Sequence, residues 1–242
     1  MLRYKIDYDS CRKKEFKEKL RNYYVKAEDL GEKHFFTKPL DKEEINQVFN
    51  IIKVVEENYY SALEYFSSFL VMRTGNVLHV IQDRRQTRIW DFISNAVFDE
   101  GVNNLWSFYD GSDDQPTYTF LFKRFYDITG EKLSEFNFKD PLINELCLYR
   151  HHASAHMGRM ISDENKARIH FSTPYRVIER ARGDLCDFWS EALNIENFNS
   201  GDINNGVHNK TIGICEILGI TDKLAEIEKE ANKSLEGLLK DD

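Results

Sequence analysis

Helix-breaking residues are scarce in this sequence. Its 242 residues include only 4 prolines and 12 glycines. Since proline and glycine mark most turns, this scarcity predicts helices rather than a many-turned β architecture. Hydrophobic residues make up 41% of the chain and charged residues 31%, which is ordinary for a globular protein able to bury a sizeable core.

Long apolar runs and paired cysteines are also missing. The longest apolar run lies around FLVM at 69–72 and is far shorter than a membrane-spanning helix. The first 16 residues have no apolar segment typical of a secretory signal. The four cysteines show no CxxC or other ligand-like spacing, as expected for core thiols in a reducing compartment: Cys11, Cys147, Cys186 and Cys215. We therefore expect a cytoplasmic protein with no membrane association.

Apolar residues recur at helical spacing along most of the chain. The clearest helix follows residue 41, with Asp41 as N-cap, Glu44 three residues later and Gly75 as its stop. The next helical stretch, 77–109, is expected to break near Arg84–Thr87 and again near Gly101.

Two proline-marked positions predict further helix starts. Asp140 can cap a helix with Pro141 in its first turn, and Thr173–Pro174 begins another. Residues 194–210 have a loop-like composition, and short helices are expected near 207–218 and 221–239. Together these patterns predict an all-α protein that forms a single helical domain over 1–242. Its core covers about 40–195, with extensions at 1–39 and 196–242.

A cluster of histidines opens the one basic segment of an acidic chain. Arg150, His151, His152 and His156 fall within seven positions, and the chain has only 7 histidines and a net charge of −8. Basic residues outnumber acidic ones up to residue 182, which indicates either a solvated surface or an anion-binding site. Under the second interpretation the RNA-binding candidates are Arg159, Lys166, Arg168 and Arg176. A second basic group contains Arg84, Arg85 and Arg88, with Arg84 and Arg88 on one helix face; a solvated face is favoured there over RNA contact.

A metal site is the less favoured interpretation of the cluster. His152 and His156 are four residues apart and would share a helix face, as in zinc helices. However, Ala153 stands where HExxH has its glutamate, and no nearby acidic residue or cysteine supplies an obvious third ligand. No metal and no cofactor are therefore expected. Phosphate-binding loops and GxSxG are also missing, which argues against kinases and esterases.

Arg150 and His156 are suited to phosphodiester chemistry. A histidine can give or take a proton near neutral pH, and an arginine can bind a phosphate and balance its developing charge. RNA supplies its own nucleophile in the 2′-hydroxyl. Residues six apart lie about 120° from each other around a straight helix, so these two converge only if the helix distorts or ends. Gly158 makes such an end plausible.

The run from Arg150 to His156 resembles the R-[N/D/H]-x(3–4)-H motif of HEPN domains, which are all-α, commonly dimeric and in many cases metal-independent ribonucleases of toxin or defence systems. The resemblance implies a HEPN-type bundle with additional N- and C-terminal helices. It also implies His156 as catalytic base or acid, Arg150 as the phosphate-binding partner and His151 as an accessory polar residue. RNA is the implied substrate.

The implied protein partners are a second copy of the chain and an antitoxin or nucleotidyltransferase. Gly158 stands where some HEPN toxins carry a tyrosine that a partner nucleotidyltransferase modifies, so this mode of control is not supported. The alternative function, also known among HEPN proteins, is a catalytically inactive helical module that binds a nucleotide or a protein partner.

Overall fold

The computed structural model describes residues 42–110, 117–121, 140–150, 171–193 and 201–240, and no β-strand occurs among them. The all-α prediction is therefore confirmed for this part of the chain. Within it, no helix combines the length and apolar character needed to cross a membrane. The α-helices are α1 (Lys42–Met72), α2 (Gly75–Asp83), α3 (Thr87–Tyr109), α4 (Pro141–Tyr149), α5 (Thr173–Leu193), α6 (Ile203–Leu218) and α7 (Leu224–Lys240).

The described residues belong to two compact units, each assembled from separate stretches of sequence. The first unit contains 42–57, 109–110, 117–121 and 183–193. The second contains 58–108, 140–150, 171–182 and 201–240, and it includes Arg150. The boundaries of the HEPN-like core remain a prediction.

The second unit has an aromatic core on the C-terminal half of α1. Its buried residues in α1 recur every three or four positions, which confirms the predicted helical stripe: Tyr59, Ala62, Leu63, Phe66, Phe69 and Leu70. The Phe66 ring lies 5.6 Å from that of Phe98 and 5.3 Å from that of Tyr175, between ring centroids. Such offset and tilted ring pairs add to the stabilisation that burial provides.

Helix α3 runs without interruption through Gly101, so the predicted break there is wrong. Gly101 is buried, and a Cβ on it would come within 2.9 Å of the Phe66 ring. The glycine therefore allows α3 to pack closely on α1 and does not end a helix.

Gly75 begins a helix instead of ending one. Helix α1 already ends at Met72, where the Thr74 hydroxyl donates to the Val71 carbonyl at 2.9 Å. Gly75 is the first residue of α2, and its backbone N–H donates to a carboxylate oxygen of Glu230 in α7 at 2.5 Å. A side chain that is distant in sequence thus satisfies a helix-start donor, which local patterns could not reveal.

The predicted break at Arg84–Thr87 is confirmed, but its consequence for the arginines is different. Arg85 has a left-handed backbone conformation with φ of 56°, which separates α2 from α3. Arg84 therefore lies at the end of one helix and Arg88 in the next, so the prediction that they share one helix face is wrong. The Arg84 guanidinium donates to the Leu218 carbonyl at 2.7 Å and so satisfies an acceptor at the C-terminus of α6.

Helix α6 begins within the stretch that looked like a loop. The Asp202 side chain accepts from the Asn205 backbone N–H at 2.8 Å, so the aspartate acts as N-cap and the helix starts at Ile203. The helix ends in a Schellman motif, in which Gly219 is left-handed with φ of 67° and the Ile220 N–H donates to the Cys215 carbonyl at 2.9 Å. The predicted loop over 194–210 is therefore wrong from residue 203 onward.

Removal of the hydroxyl group should have different effects on the free energy of unfolding at two buried tyrosines. In the first unit, the Tyr109 hydroxyl donates to the buried Asp184 carboxylate at 2.6 Å, so Tyr109→Phe should cost about 1–3 kcal/mol of unfolding free energy. In the second unit, the fully buried Tyr175 hydroxyl has no hydrogen-bond partner among the described residues. Tyr175→Phe should therefore be neutral or stabilising by about 1 kcal/mol. Urea unfolding midpoints test this pair, and an equal loss in both variants would contradict it.

Candidate functional site

Helix α4 places Arg150 at its C-terminal end. The Asp140 carboxylate accepts from the Leu142 backbone N–H at 2.9 Å and Pro141 occupies the first turn, which confirms the predicted start. Ile143 and Leu146 are buried and anchor the helix by one face. The short helix therefore has a defined start and a buried face, and both fix the position of the residue that follows Tyr149.

Arg150 lies where the regular α-helix stops. The α-helix ends at Tyr149, and the Arg150 backbone, with φ of −57° and ψ of −48°, keeps α-helical angles and donates its N–H to the Leu146 and Cys147 carbonyls.

The Arg150 side chain packs against an aromatic ring of α3. Its guanidinium carbon lies 5.8 Å from the centroid of the Trp106 ring, within the range of a cation–π interaction. The side chain is half-buried, and its Nε atom is buried without a hydrogen-bond partner among the described residues. A buried N–H that lacks a partner costs free energy.

Tyr149, the residue before Arg150, lies close to a carboxylate of α3. The Tyr149 ring packs edge-on against Phe98 of α3, with centroids 5.8 Å apart. Burial, together with the negative charge of Asp99, raises the pKa of Tyr149 to about 12. Burial also raises the pKa of Asp99 above its ordinary value. Tyr149 is therefore a neutral hydroxyl at physiological pH, and Asp99 of α3 is a titratable acid close to it.

Burial and the neighbouring Tyr149 together raise the pKa of Tyr175 well above its ordinary value. Both tyrosines therefore remain protonated and neutral at physiological pH.

Most of the site residues predicted from the sequence lie outside the described residues. This applies to His151, His152, His156, Arg159, Lys166 and Arg168. Arg176 is described and lies half-buried in the first turn of α5. The roles of all these residues, including the pairing of Arg150 with His156, therefore stay predictions.

Two residues of α3 that lie beside the end of α4 were not identified from the sequence. Asp99 and Trp106 are seven residues apart and so lie on the same face of α3. That spacing is visible in the sequence. Which helix the face packs against depends on tertiary structure, and nothing in the local pattern indicated α4.

No group of three potential metal ligands is present among the residues that the structure describes. Comparison of the chain with protein-family profiles, with curated proteins and with solved structures finds no match in any of the three.

Proposed function

We propose that the chain is a HEPN-like, metal-independent endoribonuclease that uses Arg150 and His156 at a cleft between two copies of the chain. The observation that carries the proposal is Arg150 itself. Its cation is held against Trp106, its Nε has no partner among the described residues, and the histidine cluster begins at the next position.

In the proposed reaction the 2′-hydroxyl of RNA attacks the adjacent phosphorus. His156 accepts the proton of that hydroxyl, the bond from phosphorus to the 5′-oxygen breaks, and the leaving oxygen takes up a proton. The products are a 2′,3′-cyclic phosphate and a 5′-hydroxyl. Arg150 donates to the phosphate oxygens, where negative charge grows as the pentacoordinate state forms.

The packing of Arg150 supports this role in two ways. The Trp106 ring restricts the plane of the guanidinium, so less orientational freedom is lost when a phosphate binds. The half-buried position also lowers the local dielectric, which strengthens each charged hydrogen bond compared with one in water.

The chemistry of the product ends tests this proposal. Total RNA incubated with the protein in EDTA should give fragments with 2′,3′-cyclic phosphate and 5′-hydroxyl ends. A DNA oligonucleotide with the sequence of a cleaved RNA should stay intact because it lacks the attacking hydroxyl. Fragments with 5′-phosphate ends, or cleavage of the DNA, would contradict the mechanism.

A catalytically inactive binding module, the second candidate, is favoured by one surface of α3. Ile89, Phe92 and Ile93 lie on one face of that helix and are 65%, 73% and 43% exposed. Neighbouring apolar side chains with so much exposure are typical of protein–protein contacts. The absence of any RNA cleavage by the wild-type protein would favour this function.

A further inference from the structure

A cavity in the second unit lies among residues that the proposed reaction does not use. It has a volume of about 560 Å³, within the range of small-molecule sites. It is lined by the end of α1 and the residue that follows it, by α3, by the turn before α5 and by α7: Phe69, Leu70, Arg73, Asn95, Phe171, Ser234, Gly237 and Leu238.

Aromatic and aliphatic groups form one part of the wall. Phe171 is 46% exposed, yet its ring is held by its neighbours. It stacks on Phe98 with centroids 5.0 Å apart and planes 14° apart, and it tilts against Phe69 at 5.7 Å. An exposed ring in a fixed orientation offers a planar surface on which another ring can stack.

The cationic side chain of Arg73 lies beside these rings. The guanidinium carbon of Arg73 lies 5.8 Å from the centroid of the Phe69 ring, and one of its nitrogens is 2.8 Å from the Asp91 carboxylate. The side chains of Arg73 and Asp91 are 41% and 47% exposed. Because exposed ion pairs contribute little stability, the carboxylate or phosphate of a ligand can replace Asp91 as the partner of Arg73.

The remaining lining groups leave room and supply polar contacts. The Ser234 hydroxyl donates to the Glu230 carbonyl at 3.1 Å, which leaves its oxygen able to accept a hydrogen bond. Asn95 contributes an exposed amide. A Cβ on Gly237 would have no neighbouring atom within 4 Å, so the cavity reaches the backbone of α7 without obstruction.

We infer that this cavity binds a small planar aromatic molecule that carries one anionic group. The aromatic part stacks on Phe171, and the anion pairs with Arg73. The chemistry is shared by aromatic carboxylates and aromatic phosphate monoesters. The inference goes beyond the proposed ribonuclease function and does not depend on it, because none of the lining residues belongs to the Arg150 site.

The test measures binding of three naphthyl probes to the full chain by isothermal titration calorimetry. The probes are 2-naphthoate, 2-naphthyl phosphate and the neutral 2-naphthamide. Both anions should bind more tightly than the amide, by about tenfold, because only they gain a charged hydrogen bond with Arg73. Whichever of the two anions binds more tightly indicates whether the site prefers a carboxylate or a phosphate. Failure of all three probes to bind at millimolar concentration would overturn the inference.

Variants of the ion pair separate the charge contribution from stacking. Arg73→Met should weaken binding of the anions by about tenfold and leave the amide unchanged. Asp91→Asn should strengthen binding of the anions alone, since it removes the carboxylate that competes for Arg73. Equal effects of Arg73→Met on the anions and on the amide would show that the arginine does not recognise charge.

A pair of glycine variants tests whether the probes bind in this cavity. Gly237→Phe should place a ring in the cavity and abolish binding of every probe. The matched control is Gly213→Phe in α6, where a Cβ likewise has no neighbour within 4 Å but the residue does not line the cavity. The control should bind all three probes as the wild type does. Unchanged binding by Gly237→Phe would overturn the assignment to this cavity.

Discussion

Arg150→Ala is expected to lower the rate of RNA cleavage by about a hundredfold or more, the usual effect of removing one preorganised donor to a developing oxyanion. Arg150→Lys should recover only a small part of the rate. A lysine ammonium retains the charge but lacks the planar group that packs over Trp106 and binds phosphate oxygens in pairs. Single-turnover cleavage of a defined RNA measures both effects.

Two controls distinguish a loss of cleavage caused by misfolding from one caused by removal of the Arg150 guanidinium. Arg88→Ala is the matched control, since it removes an exposed arginine from the same helix that carries Trp106. It should cleave RNA as the wild type does. The Arg150 variants should keep the wild-type helical content by circular dichroism. Cleavage by Arg150→Ala at the wild-type rate would remove Arg150 from the mechanism.

Gly206→Ala is expected to lower the free energy of unfolding by about 1–3 kcal/mol. Gly206 lies in α6 where that helix crosses α1, and a Cβ there would overlap the hydroxyl oxygen of the buried Ser67. Either α6 shifts away from α1 or Ser67 leaves the position from which it donates to the Ile203 carbonyl. Both responses loosen the packing of the second unit.

Gly213→Ala gives the comparison because it lies in the same helix and gains the same intrinsic helix propensity. A Cβ at Gly213 has no neighbour within 4 Å, so this variant should be about 0.5–1 kcal/mol more stable than the wild type. Adding Ser67→Ala to Gly206→Ala should recover part of the lost stability, since it removes the overlapping oxygen. Chemical denaturation of the four proteins measures these differences, and equal effects of the two glycine variants would contradict the predicted contact.

Helix starts with a local chemical cause could be predicted from the sequence. Asp140 caps one helix ahead of Pro141, and Pro174 lies in the first turn of another, where a proline needs no N–H donor. The break at Arg84–Thr87 was also predicted correctly. In each case the residues that determine the feature are next to each other in the chain.

The glycines were interpreted less well because their role depends on what packs against them. Gly101 and Gly206 lie inside helices and permit close approach to α1, whereas Gly75 begins a helix whose first N–H binds Glu230. The local sequence indicates only that glycine tends to break helices. The partners that reverse this tendency are between 35 and 155 residues away.

The candidate site shows the same limit. The start of the helix that leads to Arg150 follows from the pattern at Asp140 and Pro141. The packing of Arg150 on Trp106 and the proximity of Asp99 to Tyr149 do not follow from a local pattern, because they depend on how α3 meets α4.

Cleavage of RNA in EDTA by the wild type and by His156→Ala, side by side, is the most direct test of the proposed ribonuclease. The wild type should cleave, because the mechanism uses the 2′-hydroxyl and no metal. The His156→Ala protein should cleave at least about a hundredfold more slowly, since it lacks the group that accepts the proton. Equal cleavage by the two proteins would contradict the account, as would cleavage that needs an added divalent metal.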